Sequence, residues 1–413
     1  MKTKKKGYLT INDEPYESLE MLSISLFSGL LGLDLGLHAA GFECKVALDI
    51  DKDAAAITKL NFPELPYLTE DIRNITPEEL MSIAKINAGE LDLLAGGPPC
   101  QSFSKSGKRK GLDDERGVLF QHYIRLLKEI RPRAFLLENV RGILSSNKGE
   151  DWKTILQSFK DTGYTVYWKV LDAANYGVPQ FRQRLFIVGF RDRIKYQFPA
   201  ETHSESNSEL QGYLPYVTVN EAIGDLFDST DFPAYNGKYA HLLEEIPEGL
   251  NYSYYCKERG HPNPLFDWRS KFWYFLLKID RDRPSLTIQA NPGNNTGPFH
   301  WENRKLGISE LKRLQTIPDK HKMLGSYMTN HRLIGNAVPP LLAKSIGKSI
   351  KEALKANILL SESEYEQIQI DSFKNTKVRS GRGSGLGKFE IINGNVVVNS
   401  RSLWDEVAAA SEQ

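Results

Sequence analysis

Residues 96–104 read Gly96-Gly-Pro-Pro-Cys100-Gln-Ser-Phe103-Ser. Two prolines stiffen the backbone directly ahead of a thiol. The apolar run Leu91 to Ala95 reads as a strand, so that thiol falls at the strand's carboxyl edge. A buried structural cysteine rarely needs such a setting, whereas a nucleophile held at a sheet edge does. The stretch that follows, Lys105 to Gly117, is glycine-rich and basic (Lys105, Lys108, Arg109, Lys110, Arg116), as a loop that meets phosphates would be. Glu138-Asn139-Val140 ends the next apolar run with an acid at the same expected edge. In Gln180-Phe-Arg182-Gln-Arg184 the strand period of two puts Gln180, Arg182 and Arg184 on one face. A salt-bridged edge strand is the alternative reading of that string.

Two further features point to a nucleoside. Phe27-Ser-Gly29-Leu-Leu-Gly32 follows a strand and opens a helix, where glycines let a ligand approach the backbone and a helix N-terminus offers free N–H groups. Asp49 ends the second strand, where a carboxylate typically accepts from ribose hydroxyls. A tight turn and a surface acid are the plainer alternatives for each taken alone.

The elements that must position these residues alternate. Strands are expected at Leu22–Phe27, Lys45–Ile50, Leu91–Ala95, Ala134–Leu137, Tyr164–Leu171 and Leu185–Phe190, with helices at Leu30–Ala40, Asp53–Asn61 and Gly117–Ile130. That order predicts an α/β fold with a mainly parallel sheet and a ligand beyond the strands' carboxyl ends.

With 413 residues, 40% hydrophobic and 25% charged, the chain is long enough for two to three domains and too apolar for wholesale disorder. A net charge of +1 says nothing about nucleic acid; only local clustering can. Three cysteines (Cys44, Cys100, Cys256) lack disulfide-scaffold density and zinc-site spacing, so a reducing compartment and no metal are expected. The basic start, Met1 to Lys6, has no apolar run after it, and Leu22 to Leu37 is too polar to span a membrane.

The texture changes after Phe190. Residues 201–250 hold ten acidic residues and one basic, and 251–300 hold seven basic and four acidic interleaved with aromatics such as Tyr252, Trp268 and Trp273. This reads as a second domain with an acidic part and a basic-aromatic part, or more plainly as a charged surface. Ala337–Leu354 reads as a final amphipathic helix. Lys374–Lys388 carries five basic residues among Gly and Ser and reads as a linker, and Phe389–Val398 reads as a hairpin about Asn393-Gly394. The basic linker is expected to tether DNA without sequence preference.

Taken in order, these strings resemble the C5-cytosine DNA methyltransferases. Pro98-Pro-Cys100-Gln, Glu138-Asn-Val140, Gln180-x-Arg182-x-Arg184 and Gly335-Asn336-Ala-Val338-Pro-Pro carry the resemblance. Phe27-Ser-Gly29, Asp71-Ile72, Arg116-Gly-Val-Leu119-Phe and Arg283-Pro-Ser-Leu-Thr287 add to it, over roughly residues 21–190 and 283–355. Two positions depart from the family: it usually has glycine at Leu31 and glutamate at Asp49, which bears on cofactor affinity rather than identity.

The resemblance implies S-adenosylmethionine as donor, a Rossmann-like catalytic domain and a smaller target-recognition domain with duplex DNA between them. It divides the chain into a catalytic part (1–192), a recognition domain and hinge (193–330), a helix returning to the catalytic domain (331–356) and a tail (357–413). It places Phe27, Gly29, Asp49, Ile50, Asp71, Ile72, Pro98, Leu119, Asn336 and Val338 at the cofactor, with Asp49 on the ribose and Asp71 on the adenine amino group. Ser104, Ser106, Lys108 and Arg109 would meet DNA. Cys100 would add to C6 of a flipped-out cytosine, protonated Glu138 would serve N3 and the amino group, and Arg184 with Arg182 would hold O2. A monomer in a prokaryotic cytoplasm, on the nucleoid and with a possible cognate restriction endonuclease, is expected. An RNA cytosine methyltransferase and a non-catalytic DNA-binding homologue are the competing readings. An amino-group methyltransferase is disfavoured because it has no use for Cys100.

Overall fold

A computed structural model describes residues 18–99, 117–205, 212–226, 232–269, 272–374, 387–392 and 395–402. In chain order the first half comprises β1 (Met21–Leu26), α1 (Gly32–Ala39), β2 (Phe42–Asp49), α2 (Lys52–Asn61), β3 (Tyr67–Thr69), α3 (Pro77–Ala84), β4 (Leu93–Gly96), α4 (Gly117–Ile130), β5 (Ala134–Val140), α5 (Glu150–Lys160), β6 (Thr165–Asp172), β7 (Gln180–Phe181) and β8 (Gln183–Phe190). Then follow β9 (His203–Ser204), β10 (Leu214–Pro215), α6 (Val219–Ile223), β11 (Ser285–Leu286), α7 (Ile308–Leu314), α8 (Tyr327–Asn336), α9 (Pro340–Ala356), α10 (Glu362–Lys374), β12 (Gly387–Ile392) and β13 (Asn395–Ser402).

Seven strands form one sheet in the order β3-β2-β1-β4-β5-β8-β6. Pairs β1–β2, β1–β4, β2–β3 and β4–β5 are parallel, and β8 runs antiparallel to both β5 and β6. The strand order reverses about β1, next to β4, and this switch point opens a crevice at the carboxyl ends of both. The expected sheet is therefore present, with a mixed flank on one side. The central strands are apolar on both faces because helices cover both. Leu80 of α3, Tyr123 of α4 and Trp152 of α5 pack on one side, and Leu33 and Leu37 of α1 with Leu342 and Ile346 of α9 on the other.

Local signals explain the helix starts. Asp51 caps α2 by accepting from the Asp53 and Ala54 amides at 2.9 and 3.2 Å. Thr76 caps α3, and Pro77 sits at its first position. Helix α9 packs against α1, and two glycines of α1 permit the close approach. A Cβ on Gly32 would lie 2.4 Å from the Val338 carbonyl oxygen, and one on Gly36 would lie 2.4 Å from the Ala343 Cβ.

Beyond β8 the chain builds two further cores. One joins α6, α7 and α8 to Ala54 and Ile57 of α2. The other, a small lobe of short turns, gathers Tyr235, Leu243, Ile246, Tyr255, Leu276 and Phe299. The hairpin expected near the C-terminus is β12–β13, with Ile391 opposite Val396. Its Asn393-Gly394 turn and residues 375–386 of the basic linker lie outside the described residues. Helix α10 occupies part of what the sequence presents as tail. Among the described residues no helix is long and apolar enough to cross a membrane.

Candidate active site

A cleft of about 1050 Å³ opens at the switch point. All ten residues expected at a cofactor (Phe27, Gly29, Asp49, Ile50, Asp71, Ile72, Pro98, Leu119, Asn336 and Val338) line it. Glu138, Arg182 and Arg184 line it too. Cys100, Ser104, Ser106, Lys108 and Arg109 lie outside the described residues, which stop at Pro99 on the approach to the thiol.

The loop after β1 is built from left-handed residues: Phe27 (φ 55°), Gly29 (φ 47°) and Leu31 (φ 62°). Leu31, the position where the family usually has glycine, thus pays a steric cost of about 1–2 kcal/mol. Its side chain is 2% exposed, so apolar burial offsets that strain. Asp49 fixes the loop by accepting from the Gly29 amide at 2.8 Å and the Asp51 amide at 2.9 Å. Burial pushes the Asp49 carboxyl above its ordinary range, against the pull of those amides. The Tyr67 hydroxyl donates to the Gly29 carbonyl at 3.3 Å. Ile50 follows, 65% exposed, an apolar side chain open to the cleft.

Asp71 is held by Arg73, whose Nη2 donates to it at 2.6 Å and whose Nε donates at 3.0 Å, and this guanidinium keeps the carboxyl below its usual range. Arg332 of α8 reaches across the cleft mouth to Asp51 and donates to Asp53 at 3.1 Å. The sequence reading missed Arg332; its signal was a cation three residues before Gly335-Asn336.

Glu138, 9% exposed, lies two residues before the end of β5. Arg184 Nε donates to its Oε1 at 3.0 Å. Burial raises the Glu138 pKa, and the neighbouring Arg184 and Arg182 oppose that rise without cancelling it. Space for the carboxyl depends on Gly97, where a Cβ would stand 3.2 Å from Glu138 Oε2. Asn139 donates to the Pro98 carbonyl at 3.3 Å and so ties the proline turn to β5.

Gln180, Arg182 and Arg184 do converge, but to different ends. Arg182 is 1% exposed, and its guanidinium donates to the carbonyls of Ile288 (3.4 Å), Gly335 (2.8 Å) and Ala337 (3.1 Å). It knits the cleft wall. Gln180 donates to Gln315 at 2.6 Å and accepts from the Ile288 amide at 3.1 Å. Arg184 alone of the three is paired with the buried acid. Thr287, donating to the Phe181 carbonyl at 2.8 Å, completes this wall.

The cleft suits a nucleoside. Asp49, Asp71 and the Phe27–Gly29 loop line it, and Ile50 offers an exposed apolar face.

The chain belongs to the C-5 cytosine-specific DNA methylase family, which its residues 21–352 match. It is accordingly a DNA (cytosine-5)-methyltransferase. It is 36% identical to the type II methyltransferase M.SacI of Streptomyces achromogenes, over 85% of this chain and 99% of that one. It is 34% identical to the type II methyltransferase M.NgoFVII of Neisseria gonorrhoeae, over 84% and 89% of the two chains. Among solved structures it resembles a protein described as a prophage-encoded DNA modification methyltransferase (E. coli). That likeness has a TM-score of 0.58 and 27% identity, over 81% of this chain and 100% of the other.

Proposed function

We propose that this enzyme methylates C5 of a cytosine swung out of a specific duplex sequence, and that it protects host DNA within a restriction-modification system. The observation that carries the chemistry is the buried Glu138–Arg184 pair at 3.0 Å, on the strand edge next to the turn that leads into Cys100. The type II methyltransferase names of its relatives support the biological setting.

S-adenosylmethionine, when bound, supplies an electrophilic methyl group. Asp49 would take its ribose hydroxyls, Asp71 its adenine amino group, and Phe27, Gly29, Ile50, Ile72, Pro98, Leu119, Asn336 and Val338 its remaining surface. The protein's task is to make a poor nucleophile reactive. The Cys100 thiolate adds to C6, which places an electron pair over C5 and negative charge toward N3 and O2. A thiol of ordinary pKa is about 3% thiolate at pH 7, so nearby cations raise the reactive fraction. Protonated Glu138 donates to N3 while its other oxygen accepts from the amino group. Arg184 holds O2, and Arg182 keeps the wall that carries it in place. Loss of the C5 proton, to water, lets the thiolate leave. A stacked base cannot reach the thiol, so the cytosine must be flipped at a cost of a few kcal/mol. Ser104, Ser106, Lys108 and Arg109 hold the DNA around it. The enzyme works as a monomer on nucleoid DNA in a bacterial cytoplasm, and a cognate endonuclease would cut the same site.

Bisulfite sequencing of treated duplex DNA, with tRNA as the competing substrate, tests this reading. Protected cytosines at one recurring sequence in DNA are expected. Transfer to tRNA alone, or to cytosines without sequence preference, would overturn it.

A further inference from the structure

Arg332 takes no part in the proposed reaction, yet it joins segments that line the cofactor cleft. It lies one helical turn before Asn336, so the two share a face of α8, and both line the cleft. Its Nη1 donates to Asp51 Oδ2, and its Nη2 donates to Asp53 at 3.1 Å. Asp51, between β2 and α2, also lines the cleft, and its atoms divide the work. Oδ1 caps α2 by accepting from the Asp53 and Ala54 amides, Oδ2 takes the guanidinium, and the backbone amide donates to Asp49 Oδ1 at 2.9 Å. Asp49 Oδ2 accepts in turn from the Gly29 amide at 2.8 Å. A chain of polar contacts thus runs Arg332–Asp51–Asp49–Gly29 and ties α8 to the β2–α2 connection and to the β1–α1 loop.

The segments at the end of this chain need holding. The β1–α1 loop carries Phe27 and Leu31 in the left-handed region that side chains rarely adopt. Ile50, between Asp49 and Asp51, is largely exposed, so packing does little to fix that connection. Elsewhere α2 and α8 meet without Arg332. Ala54 and Ile57 share a core with Leu333 and Ile334. At the last residue of α2, the Asn61 side chain exchanges hydrogen bonds of 2.9 and 2.8 Å with the Lys322 backbone. Loss of Arg332 therefore leaves the helices packed and frees only the end that borders the cleft.

We propose that Arg332 is a positioning residue for the cofactor: through Asp51 it fixes the Asp49 carboxylate, and the spacing between Asp49 and Asn336, before the cofactor arrives. This rests on the reading of Asp49 as the acid that takes the ribose. A carboxylate already held at both oxygens gives up less freedom when a hydroxyl approaches, and so binds it more tightly.

The test uses the full chain and point variants. Asp51→Asn keeps the helix cap, because Asn caps as well as Asp, but removes the charge that holds Arg332. Arg332→Ala removes the cation, and Arg332→Lys keeps it without the planar fork. The double variant, Arg332→Ala with Asp51→Asn, closes a cycle. Two quantities are read: affinity for the product S-adenosylhomocysteine, and hydrogen exchange at the Gly29 and Asp51 amides of the cofactor-free protein. Arg332→Ala and Asp51→Asn should each weaken product binding roughly tenfold, and the double variant should lose no more than either alone. Both amides should exchange faster in all three, and Arg332→Lys should recover part of the affinity. The KM for S-adenosylmethionine should rise by more than kcat falls. Additive losses with unchanged exchange would show that Arg332 touches the cofactor itself, and would overturn the positioning role. Asp49→Ala separates the two readings. If it binds the product as tightly as the parent does, the reading of the ribose site fails, and the cofactor role of Arg332 with it. If Asp49→Ala loses affinity while Arg332→Ala does not, the positioning role alone fails.

Discussion

At the scale of single residues the proposed chemistry asks for a proton on Glu138. Burial raises its pKa, and Arg184 and Arg182 oppose that rise without cancelling it. Only the protonated acid serves N3, so the methylation rate at saturating substrates should fall as pH rises through that elevated pKa. Arg184→Ala removes a cation that stabilises the charged form. It should therefore move the alkaline limb to higher pH while lowering the plateau by roughly 10²–10³-fold. A single-turnover pH profile checks both, and an alkaline limb that moves down would contradict the assignment. Gly97→Ala places a Cβ 3.2 Å from Glu138 Oε2 and should slow turnover with little change in cofactor affinity, read as a kcat–KM split. The types of these residues were legible in the sequence, because Glu138, Arg184 and the proline-cysteine turn stand at strand ends. Their partners were not. Alternation put Arg182 and Arg184 on one face, but only the fold shows that one guanidinium serves three carbonyls and the other the buried acid.

Among the elements, the strands were readable where apolar runs were short and bounded, and α4 begins and ends at the residues its pattern implied. Helices α3 and α5 were overlooked because no chemical motif drew attention to them, although Thr76-Pro77 is a start signal and α5 carries a regular apolar stripe. Helix α1 holds an unexpected feature. Among the described residues Asp34, 7% exposed and in its first turn, has no cation and no well-formed hydrogen bond; Ser25 and its own backbone amide are the donors beside it. Burial raises its pKa to about 6. A carboxyl that holds its proton more tightly when folded destabilises the fold as pH rises between its unfolded value near 4 and about 6, and the deficit persists above that. Asp34→Asn should therefore stabilise the protein by about 2–3 kcal/mol at pH 8 and by little at pH 4. Urea unfolding at the two pH values decides it; equal gains at both would show that the carboxyl is not strained by its charge. Gly36→Ala would drive a Cβ to 2.4 Å from the Ala343 Cβ and the Pro340 carbonyl. Overpacking of this kind should cost about 1–3 kcal/mol, more than Ala's helix preference returns.

At the scale of the whole molecule, a chain with net charge +1 must bind a polyanion through local charge. The five cations between Lys105 and Arg116 are the densest such group near the site in sequence. If all five meet phosphates, duplex affinity should drop several hundred-fold between 50 and 200 mM salt. A weak dependence in a filter-binding titration would move the contacts elsewhere. The small lobe was the least legible region, because its core is assembled from short turns, Tyr252–Tyr255 and Lys257–Arg259 among them, that leave no periodic pattern. The hairpin after it was legible from Asn393-Gly394, but its docking place was not, since Ile391 and Val396 pack on a core built from residues far earlier in the chain, Tyr235 to Phe299. The proposed mechanism turns on one event, the capture of an extruded cytosine by the Cys100 sulfur, and that event can be made irreversible. A duplex carrying 5-fluorocytosine at the methylated position has no C5 proton to lose. Incubated with the enzyme and S-adenosylmethionine, it should yield a denaturation-resistant protein–DNA adduct, with the cross-linked peptide containing Cys100. No adduct, or one at any residue other than Cys100, would contradict the mechanism.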